Sequence, residues 1–465
     1  MNITRISLRV GLLPAVFAAL LATSAHAQLQ AQAPVTTPLA GKVRSEVDRV
    51  YPELESLYRH FHAHPELSLH EEQTAAKFAD ALEAAGAKVT RNFGGFGVVG
   101  VLANGDGPKI LVRTDLDALP VVEQTGAAYA STVKTTNDKG ESVGVMHACG
   151  HDMHMASLIG VARVLATLKD SWHGTVIFIG QPAEERVRGA RAMLEEGLFT
   201  KFPRPDLCLA LHCIPSLPAG AVGLTSGYTL ANVDSVDIVV RGVSGHGAAP
   251  HTTKDPIVLA SQIVLALQTI VSRETAPTDP AVVTVGSIHG GTKYNIIPDE
   301  VRLQLTLRSY SDQVRTHTLE AIKRIVRGLA EAAGVPENLY PTVMVADESC
   351  PATYNDPELS GRLLETLTQW LGADHARSIP KEMGAEDFSL FGRTDPPVPI
   401  CMFRLGVMDP RILDGYLKAG QAPPSLHSSK FLPVTEPTLK TGVISMSAAV
   451  LELMNRPLVP ANPSR

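Results

Sequence analysis

Val176-Ile177-Phe178-Ile179-Gly180-Gln181-Pro182-Ala183-Glu184-Glu185 carries both a fold and a chemistry. The apolar, β-branched run reads as a buried strand, and Gln181-Pro182 marks where that strand must give way to a loop. Adjacent residues of a regular strand point to opposite faces, so Glu184 and Glu185 reach one cavity only from a loop. Helix-covered sheets place their chemistry at such strand ends. Two carboxylates there suggest a division of labour in which one binds metal and the other moves protons.

Short apolar runs of the same kind occur at Val98–Leu102, Ile110–Val112 and Leu207–Leu211. Helical periodicity separates or precedes them: Val43, Val47, Val50, Leu54 and Leu57, then Ala75, Phe78, Ala79 and Leu82, then Met153 to Leu168. This order predicts an α/β fold, a mixed central sheet with helices on both faces. Asp115, Asp117, Glu184, Glu185 and His212 are each expected just past a strand.

The rhythm changes after Leu224. Val236, Ile238 and Val240 alternate with polar neighbours, and Asp255-Pro256 caps and opens an apolar helix running to about Val271. Strands at Val282–Ile288 and Val301–Leu307 follow, then a helix capped by Ser311 and a last strand at Pro341–Val345. Strand-helix-strand-strand-helix-strand is the ferredoxin-like α+β unit, inserted here as a lid or dimerisation domain. The expected division is a signal peptide over 1–27, a catalytic domain over 28–228 and 346–465, and the insertion over 229–345.

Arg5 and Arg9, the apolar run Val10 to Leu21, and Ala25-His26-Ala27 before Gln28 have the layout of a cleavable export signal. The run is short for a membrane span of about 20 residues. A secreted or periplasmic protein without a stable membrane anchor is expected, and no later segment reads as long and apolar enough to span a bilayer. Five cysteines are too few and too irregularly spaced for a disulfide framework. Cys208, Cys213 and Cys401 sit in strand-like apolar contexts that suit buried free thiols. A formal net charge of −6 without basic clusters argues against a nucleic-acid partner.

Chemistry concentrates in His147-Ala148-Cys149-Gly150-His151-Asp152. Cys149 and His151 are two apart, so an extended segment presents both on one face to one metal ion or a metal pair. Several further motifs keep this order along nearly the whole chain. They are Arg113-Thr114-Asp115-Leu116-Asp117, Ser244-Gly245-His246, Asn295-Ile296-Ile297-Pro298, Met383-Gly384-Ala385-Glu386-Asp387-Phe388 and Leu426-His427-Ser428. Together with the cysteine and glutamate motifs they resemble the aminoacylase/hippurate-hydrolase family of metallopeptidases, which includes the indole-acetyl-amino-acid hydrolases.

The resemblance implies a zinc-peptidase-like catalytic domain with a dinuclear site held by Cys149, His151, Glu185, His212 and His427. Glu184 would be the general base, and Asp117 an orienting carboxylate beside the metals. The ligand types suit two divalent ions, zinc or manganese foremost, with cobalt or nickel admitted. On the inserted domain, His246 would reach a neighbouring subunit's site to stabilise the oxyanion. Asn295 and Arg308 would hold substrate oxygens, the guanidinium fork suiting a carboxylate. A homodimer or higher homo-oligomer follows, as it does from the insertion's exposed sheet edge.

His147 and His154 are expected to orient the ligands, while His62, His64 and His70 are assigned no role, and Glu386 and Asp387 are expected mainly to shape the pocket wall. Met153, Arg186-Val187-Arg188 and Ser429 depart from the family's usual residues beside the pocket. The function implied is metal-dependent hydrolysis of the amide of N-acyl amino acids. A dipeptidase or carboxypeptidase using the same site is the alternative. A Cys149 nucleophile with His151 as base, and a non-catalytic exported metal- or solute-binding module, are the readings of other classes.

Overall fold

The computed structural model describes residues 37–458, so the expected export signal over 1–27 lies outside the described residues. Eight strands form the main sheet in the order Lys88–Thr90, Val98–Asn104, Gly174–Gln181, Lys109–Asp115, Leu207–Pro218, Ile400–Met408, Val222–Leu224 and Ala376–Ser378. The four strands from Gly174–Gln181 to Ile400–Met408 are mutually parallel, while antiparallel pairings flank them. Parallel neighbours bring their carboxyl ends to one edge. They are also buried on both faces, which is why they read as continuous apolar runs.

Helices Pro38–Ala63, His151–Thr167, Pro357–Leu371 and Thr435–Asn455 cover one face and share its core. His151–Thr167 is buried almost along its length between the sheet and its neighbours. The close approach fixes Gly160, where a Cβ would lie 2.5 Å from Val443 Cγ2. The opposite face carries the shorter helices Gly189–Glu195 and Leu198–Lys201 and the 3₁₀ turn Asp387–Arg393. Leu207–Pro218 is longer than its sequence suggests. His212 lies within it rather than past its end, because pairing with Ile400–Met408 carries the strand on to Pro218.

A second sheet has the order Ala281–Gly290, Glu300–Ser309, Asp234–Arg241, Thr342–Val345, antiparallel throughout. Helices Pro256–Thr269 and Asp312–Ala332 pack on it around Val236, Ile238, Leu303, Leu305, Ile263 and Ile322. The Asp255 carboxylate accepts from Ile257 and Val258 amides, and Ser311 Oγ accepts from Val314 N, as N-caps should. One expectation fails here. The segment Pro256–Glu274 is by length and mean hydropathy, 1.4 over its best window, apolar enough to cross a membrane. Its Leu259, Ala260, Ile263 and Leu267 are instead buried on the sheet, whereas Ile257, Val258 and Leu265 face outward.

Candidate metal centre

The carboxyl edge of the parallel strands gathers the candidate residues. Gly150, at φ +87°, separates Cys149 from His151 and caps the buried helix. A Cβ there would meet Cys213 Sγ at 3.0 Å, so only glycine lets the segment turn. After strand Gly174–Gln181 the chain folds into a tight turn with Ala183 at φ +47° and Val187 at φ +54°. Both are non-glycine residues in the left-handed region, and a β-branched Val187 is costly there. The turn is closed by Val187 N donating to Glu184 O, with the Arg188 and Gly189 amides donating to Ala183 O.

Asp117 organises this turn. Its two carboxylate oxygens accept from the Glu184 amide at 3.1 Å and the Glu185 amide at 3.0 Å, and Ser68 Oγ donates to it at 2.6 Å. The Asp117 carbonyl accepts from His151 Nδ1 at 2.7 Å. A carbonyl can only accept, so Nδ1 carries hydrogen and Nε2 is the ring nitrogen left facing the cluster. His212 repeats the arrangement, with Nδ1 donating to Cys213 O at 2.8 Å and Nε2 lying 3.6 Å from Cys149 Sγ. His427, at φ +65°, is held by its amide on Ala148 O, and its Nε2 is 3.4 Å from Glu185 Oε1.

Overlapping groups result, among them Cys149, His151 and His212; Cys149, Glu185 and His427; and His151, Glu184 and Glu185. In each, the ligand atoms lie within 4.8 Å of one another. Cys149 belongs to two of these groups, so one sulfur can serve two ions. His151 Nε2 and Glu185 Oε1 are buried without a hydrogen-bond partner. The field has the matching sign. Burial opposes charge on His151, yet Asp115 and Asp117 push it up to about 10. Burial together with Glu386, Glu185 and Asp387 raises Glu184 well above the ordinary carboxylate range. A buried pocket of excess negative charge, with lone pairs aimed inward and no donors to meet them, fits divalent cations. Burial and the carboxylates of Glu185, Glu184 and Asp115 hold the Cys149 thiol far above its usual value. That disfavours the thiolate nucleophile, whose reactivity needs the opposite environment.

Some assignments change. His154 bonds no candidate ligand side chain. Its Nδ1 pairs with Asp115 Oδ1 at 2.7 Å and its Nε2 accepts from Cys213 N. Among the described residues neither ring nitrogen of the buried His147 has a hydrogen-bond partner. His62, given no role from sequence, is buried between Asp152 at 2.7 Å and Glu123 at 3.0 Å, so it braces the residue following His151. Helical periodicity gave no hint of this, since the partners are remote in sequence. Glu386 and Asp387 do not enter the cluster as free carboxylates: Arg113, fully buried, donates to both and to Asp115 and Gln181. The Arg-Thr-Asp spacing was visible, but the remote partners were not. Arg186 pairs with Asp138 and Glu348, leaving Glu185 without an arginine.

On the inserted domain, Gly245–His246 pairs with Ile296–Ile297, which sets exposed His246 beside exposed Asn295. Gly247 N donates to Asn295 O at 2.9 Å. Among the described residues neither side chain bonds to the Cys149 cluster. Arg308 is half-buried with no anionic partner within salt-bridge distance among the described residues, and desolvation lowers its pKa. A large concavity lies at the opposite, amino ends of the strands, around Pro108, Leu207, Val398 and Ile400. It contains none of these groups.

The family described as peptidase family M20/M25/M40 matches residues 111–415. Thermostable carboxypeptidase 2 of Saccharolobus solfataricus is 34% identical over 422 residues, 90% of this chain and 100% of its own. Hippurate hydrolase of Campylobacter jejuni is 36% identical over 341 residues, 73% of this chain and 85% of its own. A crystal structure of a Bacillus subtilis dinuclear metal binding peptidase from the M20 family superposes with a TM-score of 0.70 at 28% identity. That match covers 88% of this chain and 99% of the other.

Proposed function

The chain belongs to peptidase family M20/M25/M40, and from that membership we propose that it hydrolyses the amide of N-acyl amino acids, releasing a carboxylic acid and the free amino acid. It is a metal-dependent amidohydrolase. The observation that carries the finer reading is the pairing of Glu184 with the Cys149 cluster: a buried carboxyl of raised proton affinity 3.8 Å from His151 Nε2. Cys149, His151, Glu185, His212 and His427 would hold two divalent ions, zinc or manganese in the first place. Such ions, when bound, supply Lewis acidity and make water acidic enough to attack at neutral pH. Glu184 takes the proton of the attacking water and delivers it to the leaving amine, a role worth about 10²–10⁴-fold.

Substrate recognition falls to the inserted domain in this reading. Arg308 is a half-buried cation awaiting an anion, and the free carboxylate of an N-acyl amino acid supplies one. His246 would act across a dimer, aiming a donor at the developing oxyanion of the partner subunit's site. Two features support pairing: strand Ala281–Gly290 is a sheet edge, and Ile257, Val258, Leu265 and Ile288 are exposed beside it. Export to the periplasm or medium, with loss of residues 1–27, completes the proposal.

The second reading, a dipeptidase or carboxypeptidase, draws on the carboxypeptidase named among the relatives. Both need the same base and the same carboxylate anchor. The test is a panel of N-acetyl, N-benzoyl and N-indole-acetyl amino acids against dipeptides, with metal analysis and a chelator arm. Faster turnover of dipeptides sinks the first reading in favour of the second. Activity indifferent to chelation sinks both.

A further inference from the structure

We propose that Glu71, remote in sequence from every ligand, is a positioning residue for catalysis that holds the Glu184 turn in its working geometry by gripping the Ala183 amide. The inference rests on the reading of Glu184 as the base. Glu71 precedes helix Glu72–Ala84 at its N-cap, but its side chain turns away from the helix and is fully buried. Its Oε1 accepts from two amides, Ala183 N at 2.7 Å and Leu69 N at 2.9 Å. Both donors belong to left-handed residues, Leu69 at φ +69° and Ala183 at φ +47°. One oxygen therefore pins two strained backbone positions, and strain of this kind persists only where the surroundings over-determine it.

The geometry at the turn is cumulative. Glu71 takes the Ala183 amide, and Asp117 takes the Glu184 and Glu185 amides, so three successive donors are bound by two buried carboxylates. The Ala183 carbonyl is held from the other side by the Arg188 and Gly189 amides. Ala183 is thus fixed at both ends, and the direction in which the Glu184 side chain leaves the turn is set by that fixation. Without Glu71, no other acceptor among the described residues satisfies Ala183 N, and the left-handed residue is free to relax. Misplacing a reacting group by about 1 Å costs roughly 10²-fold in rate. Burial and the nearby Asp117 charge push the Glu71 carboxyl up to about 7. Its other oxygen, Oε2, has no hydrogen-bond partner among the described residues. A glutamine, which keeps the accepting oxygen, should therefore substitute well.

Glu71→Asp is the informative variant. Aspartate is a good N-cap residue, so the helix start is preserved, but the carboxylate is one methylene too short to span to Ala183. Steady-state kinetics of the full-length, metal-loaded protein would use N-benzoylglycine or N-acetylmethionine, whichever turns over faster. The expected result is a kcat lowered about 10²-fold with KM within about threefold and metal content unchanged. Glu71→Gln should stay within about threefold of the parent in kcat. Combining Glu71→Asp with Glu184→Gln should add almost nothing to the loss from Glu184→Gln alone, since one acts through the other. A Glu71→Asp protein within threefold of the parent, a Glu71→Gln protein as impaired as Glu71→Asp, or losses that multiply in the double variant would each overturn the inference. If Glu184→Gln collapses turnover while Glu71→Asp does not, only this inference fails. If Glu184→Gln keeps full turnover, the proposed function fails and this inference with it.

Discussion

Arg113 Nη2 donates to Glu386 Oε1 at 2.7 Å, across 273 positions of chain, with both side chains buried. The contact ties the end of strand Lys109–Asp115 to the segment that returns after the inserted domain. Arg113 is also the cation that Asp115 and Asp387 share. Removing Arg113 leaves Glu386 and Asp387 buried without a cation, while Asp115 keeps His154. Arg113→Met is expected to destabilise the protein by about 3–5 kcal/mol. A urea midpoint unchanged from the parent would show that the carboxylates are neutralised by something else.

Cys149 must lose its proton to bind a cation, and its surroundings keep that proton on. Metal binding should therefore release protons and tighten as pH rises. Calorimetric titration of the metal-stripped protein in buffers of different ionisation enthalpy reads the released protons directly. Cys149→Ser should bind with less proton release; equal release in the two proteins would locate the titrating group elsewhere.

His62 sits between Asp152 and Glu123. Burial opposes its charge, but the two carboxylates outweigh burial and push its pKa up to about 9 from an ordinary 6.5. A group whose pKa is raised by folding stabilises the fold while protonated. Its contribution, on the order of 3 kcal/mol, is fully present below about pH 6.5 and is lost as pH rises through about 9. Denaturation midpoints measured between pH 6 and 9.5 should fall more steeply for the parent than for His62→Gln. Parallel curves would contradict the assignment.

Arg308→Ala is expected to raise KM about 10–100-fold, the worth of one charge-assisted contact to a carboxylate. Arg308→Lys should recover only part of it, because a lysine lacks the planar fork. The control is an N-acyl amine with no carboxylate. If both substrates lose equally in the alanine variant, Arg308 supports the domain and does not touch the carboxylate.

Much of the architecture was legible because its signals are local. The run Val176–Ile179, the alternation along Val301–Leu307 and the caps at Asp255 and Ser311 each depend on neighbours a few residues away. The Cys149, His151, Glu184 and Glu185 set was legible for the same reason, being confined to two short stretches. The length of Leu207–Pro218 was not, since a partner strand nearly two hundred positions later sustains it. Helix Pro256–Thr269 was legible as part of the inserted α+β unit, although its composition suits a bilayer as well as a sheet.

The sequence by itself determined which groups could do chemistry, that the strand before Glu184 had to stop at Gln181-Pro182, and that a second alternating unit interrupts the first. Only the tertiary structure decided how those groups are held. It placed His62 under Asp152, Arg113 under Glu386, and Glu71 against Ala183. Buried polar groups must be satisfied, but their partners can come from any part of the chain that the sheet order brings near. That freedom leaves no periodic trace in the sequence.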